Sequence, residues 1–158
     1  IFMESEQMYG DKGEVPDGEF TLPIGVAEIK RKGSDVTIVS FGKIIKEAYK
    51  AADVLEEEGI ECEVIDLRTI RPMDYNTIFN SVKKTNRLVI LEESWPFGNI
   101  ATEISYQVQS EVFDYLDAPI QKINTADTPA PYSPVLLAEW LPNSNDVIKS
   151  VKKVMYVS

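Results

Sequence analysis

The sequence contains no histidine. That absence excludes an internal Ser-His-Asp or Cys-His catalytic apparatus, a His-ligated zinc site and an imidazole proton shuttle. A single cysteine, Cys62, excludes an internal disulfide and a four-cysteine metal site. Its position inside a strand-like run reads as a small buried hydrophobe in a reducing compartment. Positive charge is scarce as well. Sixteen Lys+Arg stand against 26 Asp+Glu, and the formal net charge of −10 repels nucleic acid and acidic membranes. No apolar run approaches the ~18 residues of a bilayer span. The amino end, Ile1-Phe2-Met3-Glu4, has neither the basic flank nor the small-residue cleavage site of a secretory signal.

What is present suits a soluble α/β domain. The chain has 158 residues, of which 44% are hydrophobic, and a chain of that size removes roughly two-thirds of its unfolded surface from water without a metal or disulfide staple. Residues 1–24 differ in texture from the rest. Ile1–Met3 reads as the tail of a strand, and Gly10, Gly13, Pro16, Gly18 and Pro23 then punctuate a charged stretch with no period, as in an extended connector. An opening Ile rather than Met, followed by such a connector, leads to the expectation of a fragment with an upstream domain missing.

From Gly25 the pattern becomes regular. Val26–Lys30 and Val36–Phe41 are short strand-like runs, and the intervening Lys32-Gly33-Ser34-Asp35 suggests a hairpin. Ile44, Ala48, Ala51 and Leu55 form an apolar stripe at helical spacing, with Gly59 placed as the carboxy-terminal cap. Cys62–Leu67 is a further strand. Asp74 caps a helix running to Lys84, and Leu88–Leu91 reads as a strand covered on both faces. Asn99 caps a helix with Ile100, Ile104, Val108 and Val112 on one side. Ile120–Thr125 is a weaker strand near an edge, Pro129-Ala130-Pro131 makes a corner, and a last helix spans about Asn145–Val157. Strands alternating with helices predict a three-layer α/β fold, with a mostly parallel sheet and one antiparallel strand from the early hairpin.

In such a sheet the functional loops lie beyond the carboxyl ends of the strands. Ser40–Lys43, Arg68–Asp74, Glu92–Gly98 and Thr125–Tyr132 qualify. Arg68 and Arg71 offer planar forks for a carboxylate or phosphate, or else pair with Glu92 or Glu93 on a neighbouring strand. Glu92 and Glu93 form a candidate acid–base pair, but adjacent strand residues point to opposite faces and cannot readily share a proton. Trp95 and Phe97 read either as interface anchors or as packing over the sheet rim. No phosphate-cradling glycine loop or nucleophile elbow occurs, and the positions after the first parallel strand lack the aspartates of a receiver and the phosphate loop of a flavin carrier. Residue chemistry alone therefore describes a domain without a self-contained active site, built to assemble with something else.

Five ordered segments carry a resemblance: IFMESEQMYG at 1–10, DLRTIRPMD at 66–74, EESWPFG at 92–98, LDAP at 116–119 and TADTPAPY at 125–132. Together they resemble the carboxy-terminal half of the beta subunits of pyruvate dehydrogenase, the thiamine-dependent decarboxylating component, within the wider transketolase-like group. The beta subunits of branched-chain 2-oxoacid dehydrogenase are the nearest rival. They typically read Pro-Trp-Asp at Pro72-Met73-Asp74 and His-Glu-Ala at Glu92-Glu93-Ser94. A stand-alone docking or regulatory module without catalysis is the other alternative.

The resemblance implies a transketolase carboxy-terminal domain over residues 25–158, preceded at 1–24 by the end of a pyrimidine-binding domain and a linker. It also implies oxidative decarboxylation of pyruvate with acetyl transfer to a lipoyl group. Thiamine diphosphate and magnesium would be held by the missing amino-terminal half and an alpha subunit, with no catalytic, cofactor or metal ligand in this stretch. Implied partners are the alpha subunit, a second beta subunit in an α2β2 tetramer, and the subunit-binding domain of dihydrolipoyl acetyltransferase, with no nucleic acid and no membrane. Asp117 and the terminal Ser158 match the family's docking contacts, and Arg71, Glu92, Glu93, Trp95 and Phe97 are candidates for the subunit interface. The implied location is cytoplasmic for a bacterial protein and the mitochondrial matrix for a eukaryotic one.

Overall fold

A computed structural model describes residues 1–157. Five strands form one sheet: β1 (Glu28–Arg31), β2 (Val36–Ser40), β3 (Cys62–Asp66), β4 (Leu88–Leu91) and β5 (Gln121–Ile123). Their order is β1-β3-β2-β4-β5, with β1 antiparallel to β3 and every other pair parallel. The helices are α1 (Ile45–Glu57), α2 (Tyr75–Thr85), α3 (Ile100–Val112), α4 (Pro134–Trp140) and α5 (Ser144–Met155). α1 and α5 cover one face and α2 and α3 the other, giving the three layers and the single antiparallel strand expected from the sequence.

The central strands explain themselves. All residues of β2 and β4 are buried, as continuous runs sandwiched between helices must be. Ile38, Val64, Val89 and Leu91 face α1 and α5, where Ala48, Leu55, Val147 and Val151 meet them. Val39, Ile65, Leu88 and Ile90 face α2 and α3, against Ile78, Val82, Ile104 and Val108. Cys62 lies within the first of these layers with no accessible surface, and burial pushes its thiol up to about 12, which makes it an inert hydrophobe.

The helix starts follow local capping chemistry. The Asp74 carboxylate accepts from the Thr77 amide at 3.1 Å, and the Asn99 side chain accepts from the Thr102 amide at 2.8 Å. Asn143 and Asp146 close a reciprocal capping box on α5. Gly59 follows α1 with φ +81°, the left-handed turn that glycine adopts without strain.

Two expectations are corrected here. β1 and β2 are not a hairpin, because β3 lies between them. The residues around Gly33 carry the chain across the start of β3, with the Asp35 amide donating to the Glu61 carbonyl at 3.0 Å. Nor does either arginine reach Glu92 or Glu93. β2 separates β3 from β4, so Arg68, just beyond β3, pairs instead with Glu28 on β1, whose register places Glu28 opposite Asp66. A third difference is a helix that the reading of the sequence did not include, α4. α4 is rich in apolar residues (PVLLAEW) but buries none of them, so no apolar–polar alternation marks it as an amphipathic helix.

Residues 1–24 contain one short 3₁₀ turn, Glu6–Met8, and otherwise no regular element; Ile1–Met3 are highly exposed and lie outside the sheet. The connector touches the domain where Lys43 donates to Gln7 at 2.9 Å, and the chain is tied in again where the Gly25 amide meets Thr69 Oγ1 at 2.9 Å. Among the described residues no helix is long and apolar enough to cross a membrane.

Candidate functional site

The parallel strands β2 to β5 all end on one side of the sheet, and the loops that follow them form a rim there. Its inner support is Glu92. The backbone amide of Glu92 donates to Ile123 at 3.1 Å, prolonging the β4–β5 pairing by one step. Its side chain is wholly buried. One carboxylate oxygen, Oε1, accepts from the Ala101 amide in the first turn of α3 at 3.2 Å and from Asn124 Nδ2 at 2.9 Å. The other, Oε2, is buried without a partner. Burial raises the carboxyl above its ordinary value, and the hydrogen bonds at α3 and Asn124 pull it only partly back.

Glu93 points the other way, as strand alternation requires, and its carboxylate lies 3.1 Å from the Lys43 ammonium. The two glutamates therefore act separately, one as an internal staple and one in a surface ion pair. Lysines also line the groove of about 350 Å³ beside α1, but Lys43, Lys46 and Lys50 are met by Glu93, Asp11 and Glu47. No free cationic cluster for a diphosphate remains in that groove.

Above Glu92 the loops are clamped by two indoles. Trp95 Nε1 and Trp140 Nε1 both donate to the Thr128 carbonyl, at 2.9 and 2.8 Å. Alongside them the Thr125 amide donates to Ser94 and the Ala126 amide to Trp140, each at 3.0 Å. Asn99 donates to the Trp95 carbonyl at 2.7 Å, and Lys122 donates to the Pro96 carbonyl at 3.1 Å. This framework holds large apolar groups outward. Phe97 is 90% exposed and Tyr132 102%, and Val135 and Leu136 of α4 are exposed as well. Such apolar groups on a firmly held loop are the anatomy of a partner-facing surface.

Of the residues named from the sequence, Glu93, Trp95 and Phe97 reach this rim, and Arg71 is exposed on the adjoining loop after β3. Glu92 presents nothing to a partner and works from beneath. Sequence reasoning missed Trp140 and the Thr128 carbonyl. The one available signal was Ser133-Pro134, an N-cap residue followed by proline at the first helical position, which marks the start of α4.

Asp117 lies at the opposite end, among the amino ends of the strands. Its amide donates to the Asn86 carbonyl at 2.9 Å, its carboxylate sits 3.7 Å from the Arg87 guanidinium, and its carbonyl accepts from the Tyr156 hydroxyl at 3.3 Å. Arg87 Nε in turn donates to the Val154 carbonyl at 3.1 Å. Asp117 and the end of α5 thus share one corner of the molecule. Ser158, named with Asp117 from the sequence, lies outside the described residues.

For thiamine diphosphate and magnesium the described residues offer no fit. No three His, Cys, Asp or Glu side chains among them gather to hold a metal ion, and no glycine-rich loop faces the rim.

Comparison with known proteins agrees with this architecture. Residues 25–147 match the family described as "Transketolase, C-terminal domain". The chain is 51% identical over 158 residues to the pyruvate dehydrogenase E1 component subunit beta of Rickettsia felis, covering 100% of this chain and 48% of that protein. It is 46% identical over 148 residues to the acetoin:2,6-dichlorophenolindophenol oxidoreductase subunit beta of Bacillus subtilis, covering 94% of this chain and 43% of the relative. It therefore spans less than half the length of either. Among solved structures, a split-gene transketolase described as an inactive beta4 tetramer superposes with a TM-score of 0.78 at 27% identity, over 92% of this chain and 47% of the other. A five-stranded sheet with one antiparallel edge strand, matched along residues 25–147 and superposed over nearly its whole length, makes this chain a member of the transketolase C-terminal domain family.

Proposed function

We propose that this chain is the carboxy-terminal part of the beta subunit of a thiamine-dependent pyruvate dehydrogenase, and that its own task is assembly rather than bond-making. The observation that carries this reading is the match along the full 158 residues to the Rickettsia felis subunit at 51% identity. In this reading residues 1–24 are the end of a pyrimidine-binding domain and a linker, and residues 25–158 form the carboxy-terminal domain. Thiamine diphosphate and magnesium would sit between the amino-terminal half and an alpha subunit, where the cofactor supplies the carbanion chemistry for decarboxylating pyruvate. The location would follow the source, cytoplasm for a bacterium and matrix for a mitochondrion.

The surfaces then divide. The rim bearing Arg71, Glu93, Trp95 and Phe97, braced from below by Glu92, would meet a second beta subunit in an α2β2 tetramer. The related split-gene transketolase, described as an inactive beta4 tetramer, supports self-association of beta chains that carry this type of domain. The corner holding Asp117 and the end of α5 would dock the subunit-binding domain of the acyltransferase core, and the net charge of −10 suits a basic partner there.

A second reading is favoured by the acetoin-acting relative, whose identity of 46% is close to that of the first. An assay separates them. Full-length beta subunit, its alpha partner, thiamine diphosphate, magnesium and an artificial electron acceptor should turn over pyruvate much faster than acetoin or branched-chain 2-oxoacids. Preference for acetoin or for the branched acids would replace the substrate assignment while leaving the fold and assembly role in place.

Docking gives a narrower expectation. Asp117 is exposed and only loosely held by Arg87, so Asp117→Ala should leave tetramer assembly intact. It should weaken binding of the subunit-binding domain by about 2 kcal/mol, the low end for truncating one member of a charge pair that becomes buried on binding. Calorimetry on the assembled tetramer reads this directly. Unchanged affinity would reduce Asp117 to a local tie between Asn86 and Tyr156.

A further inference from the structure

The staple beneath the rim joins a titratable group to the loops that display it. Glu92 holds three elements at once: the end of β4, the first turn of α3 through the Ala101 amide, and the residue after β5 through Asn124. Asn124 leads directly into Thr125 and Ala126, whose amides bind Ser94 and Trp140, and from there to the carbonyl shared by the two indoles. The loop clamp thus begins at a wholly buried carboxyl with one oxygen unpartnered. We propose that Glu92 is a proton-operated latch: protonated, it lets the rim loops close over it, and ionised, it draws water to Oε2 and loosens the Trp95–Thr128–Trp140 clamp.

The surroundings set the direction. β5 brings the Lys122 ammonium, which favours the ionised form, and α3 brings the Ile100 and Ala101 amides, which act likewise. β2 ends in the uncharged Ser40, in register with Leu91, and α2 carries its lysines, Lys83 and Lys84, in the turn at the far end of the sheet. Glu93 faces away, paired with Lys43. Burial outweighs these attractions, so the closed rim binds the Glu92 proton more tightly than an opened one does. Raising the pH through the elevated titration point therefore favours opening, and lowering it favours closure.

The chain contains two tryptophans, and both are in the clamp, so indole fluorescence reports on it specifically. Titrating the full chain from acid to mildly alkaline pH should give a red shift of emission with a one-proton midpoint above the ordinary glutamate value of 4.5. In parallel, hydrogen-exchange protection at Thr125 and Ala126 should fall by about tenfold across the same step, a local opening of the rim. Glu92→Gln should abolish the step, and Glu111→Gln, on the exposed last turn of α3, should retain it. A flat profile in the unaltered chain, or a step that survives Glu92→Gln, overturns the proposal. Should Glu92→Gln fail to fold, the carboxyl carbon resonance of Glu92 in the unaltered chain decides. Titration in step with the indole signal supports the latch, and titration at the ordinary value overturns it.

Discussion

Gly33→Ala is expected to destabilise the chain by about 4 kcal/mol, beyond the usual range for overpacking. A Cβ at this position would overlap the carbonyl carbon of Cys62 and the amide nitrogen of Glu63, and would stand 2.6 Å from the carbonyl oxygen of Glu61. All three are backbone atoms at the start of β3, and that backbone is fixed on both sides. Cys62 and Glu63 pair with Val36 and Thr37 of β2, and the Asp35 amide binds the Glu61 carbonyl. No flexible side chain is available to yield. Gly59→Ala provides the contrast. Its Cβ meets nothing within 4 Å, so only the left-handed backbone at φ +81° opposes it, and the cost should be about 1–2 kcal/mol. Urea unfolding of the two variants ranks them. Equal midpoints would mean that the crossing over β3 has room to shift.

That glycine also shows where the sequence could and could not be read. A Gly-Ser-Asp stretch between two alternating runs carries the local signature of a hairpin turn, and the antiparallel direction of β1 follows from it. The pairing partner does not, because it depends on β3, whose residues lie some thirty positions further along. In the observed order Gly33 serves close backbone approach rather than a turn. The same misplaced neighbour misled the reading of Arg68, which found Glu28 once β1 took the outer edge of β3. Features set within a few residues were legible: the Asp74, Asn99 and Gly59 caps, the doubly covered runs of β2 and β4, and the opposite facing of Glu92 and Glu93.

The candidate site was half legible for the same reason. Trp95 and Phe97 advertise themselves as large apolar groups in a Pro/Gly loop. What fixes them is the backbone carbonyl of Thr128, which carries no sequence signal, and Trp140, on a short helix whose residues are all at least partly exposed. A site organised by main-chain acceptors between distant loops is visible only once the strands that bring those loops together are in order.

The second large effect is expected at the opposite end of the sheet. Glu63 is buried on β3 with a single ionic partner, Lys84 in the last turn of α2. Beside it Thr37, its neighbour across the β2–β3 register, shares hydrogen bonds with Ser81 at 2.6 Å and Thr85 at 2.7 Å. These groups form a polar strip under the last two turns of a helix otherwise packed by Ile78 and Val82. Lys84→Ala leaves the Glu63 carboxylate buried and unpaired, the costly half of breaking an ion pair. Because the Lys84 side chain is 47% exposed, water screens part of the interaction, which places the loss at about 3 kcal/mol, the low end for such pairs. Glu63→Gln removes the buried charge and leaves Lys84 free to turn into solvent, so it should cost less than about 1 kcal/mol. Lys83→Ala, one residue earlier and exposed, should fall within about 0.5 kcal/mol of the parent. The asymmetry between Lys84→Ala and Glu63→Gln is the diagnostic. If Lys84→Ala costs no more than Lys83→Ala, Glu63 finds water when its partner is gone. The helix is then held by Ile78, Val82 and the Thr37 bonds to Ser81 and Thr85, and not by the Lys84–Glu63 pair.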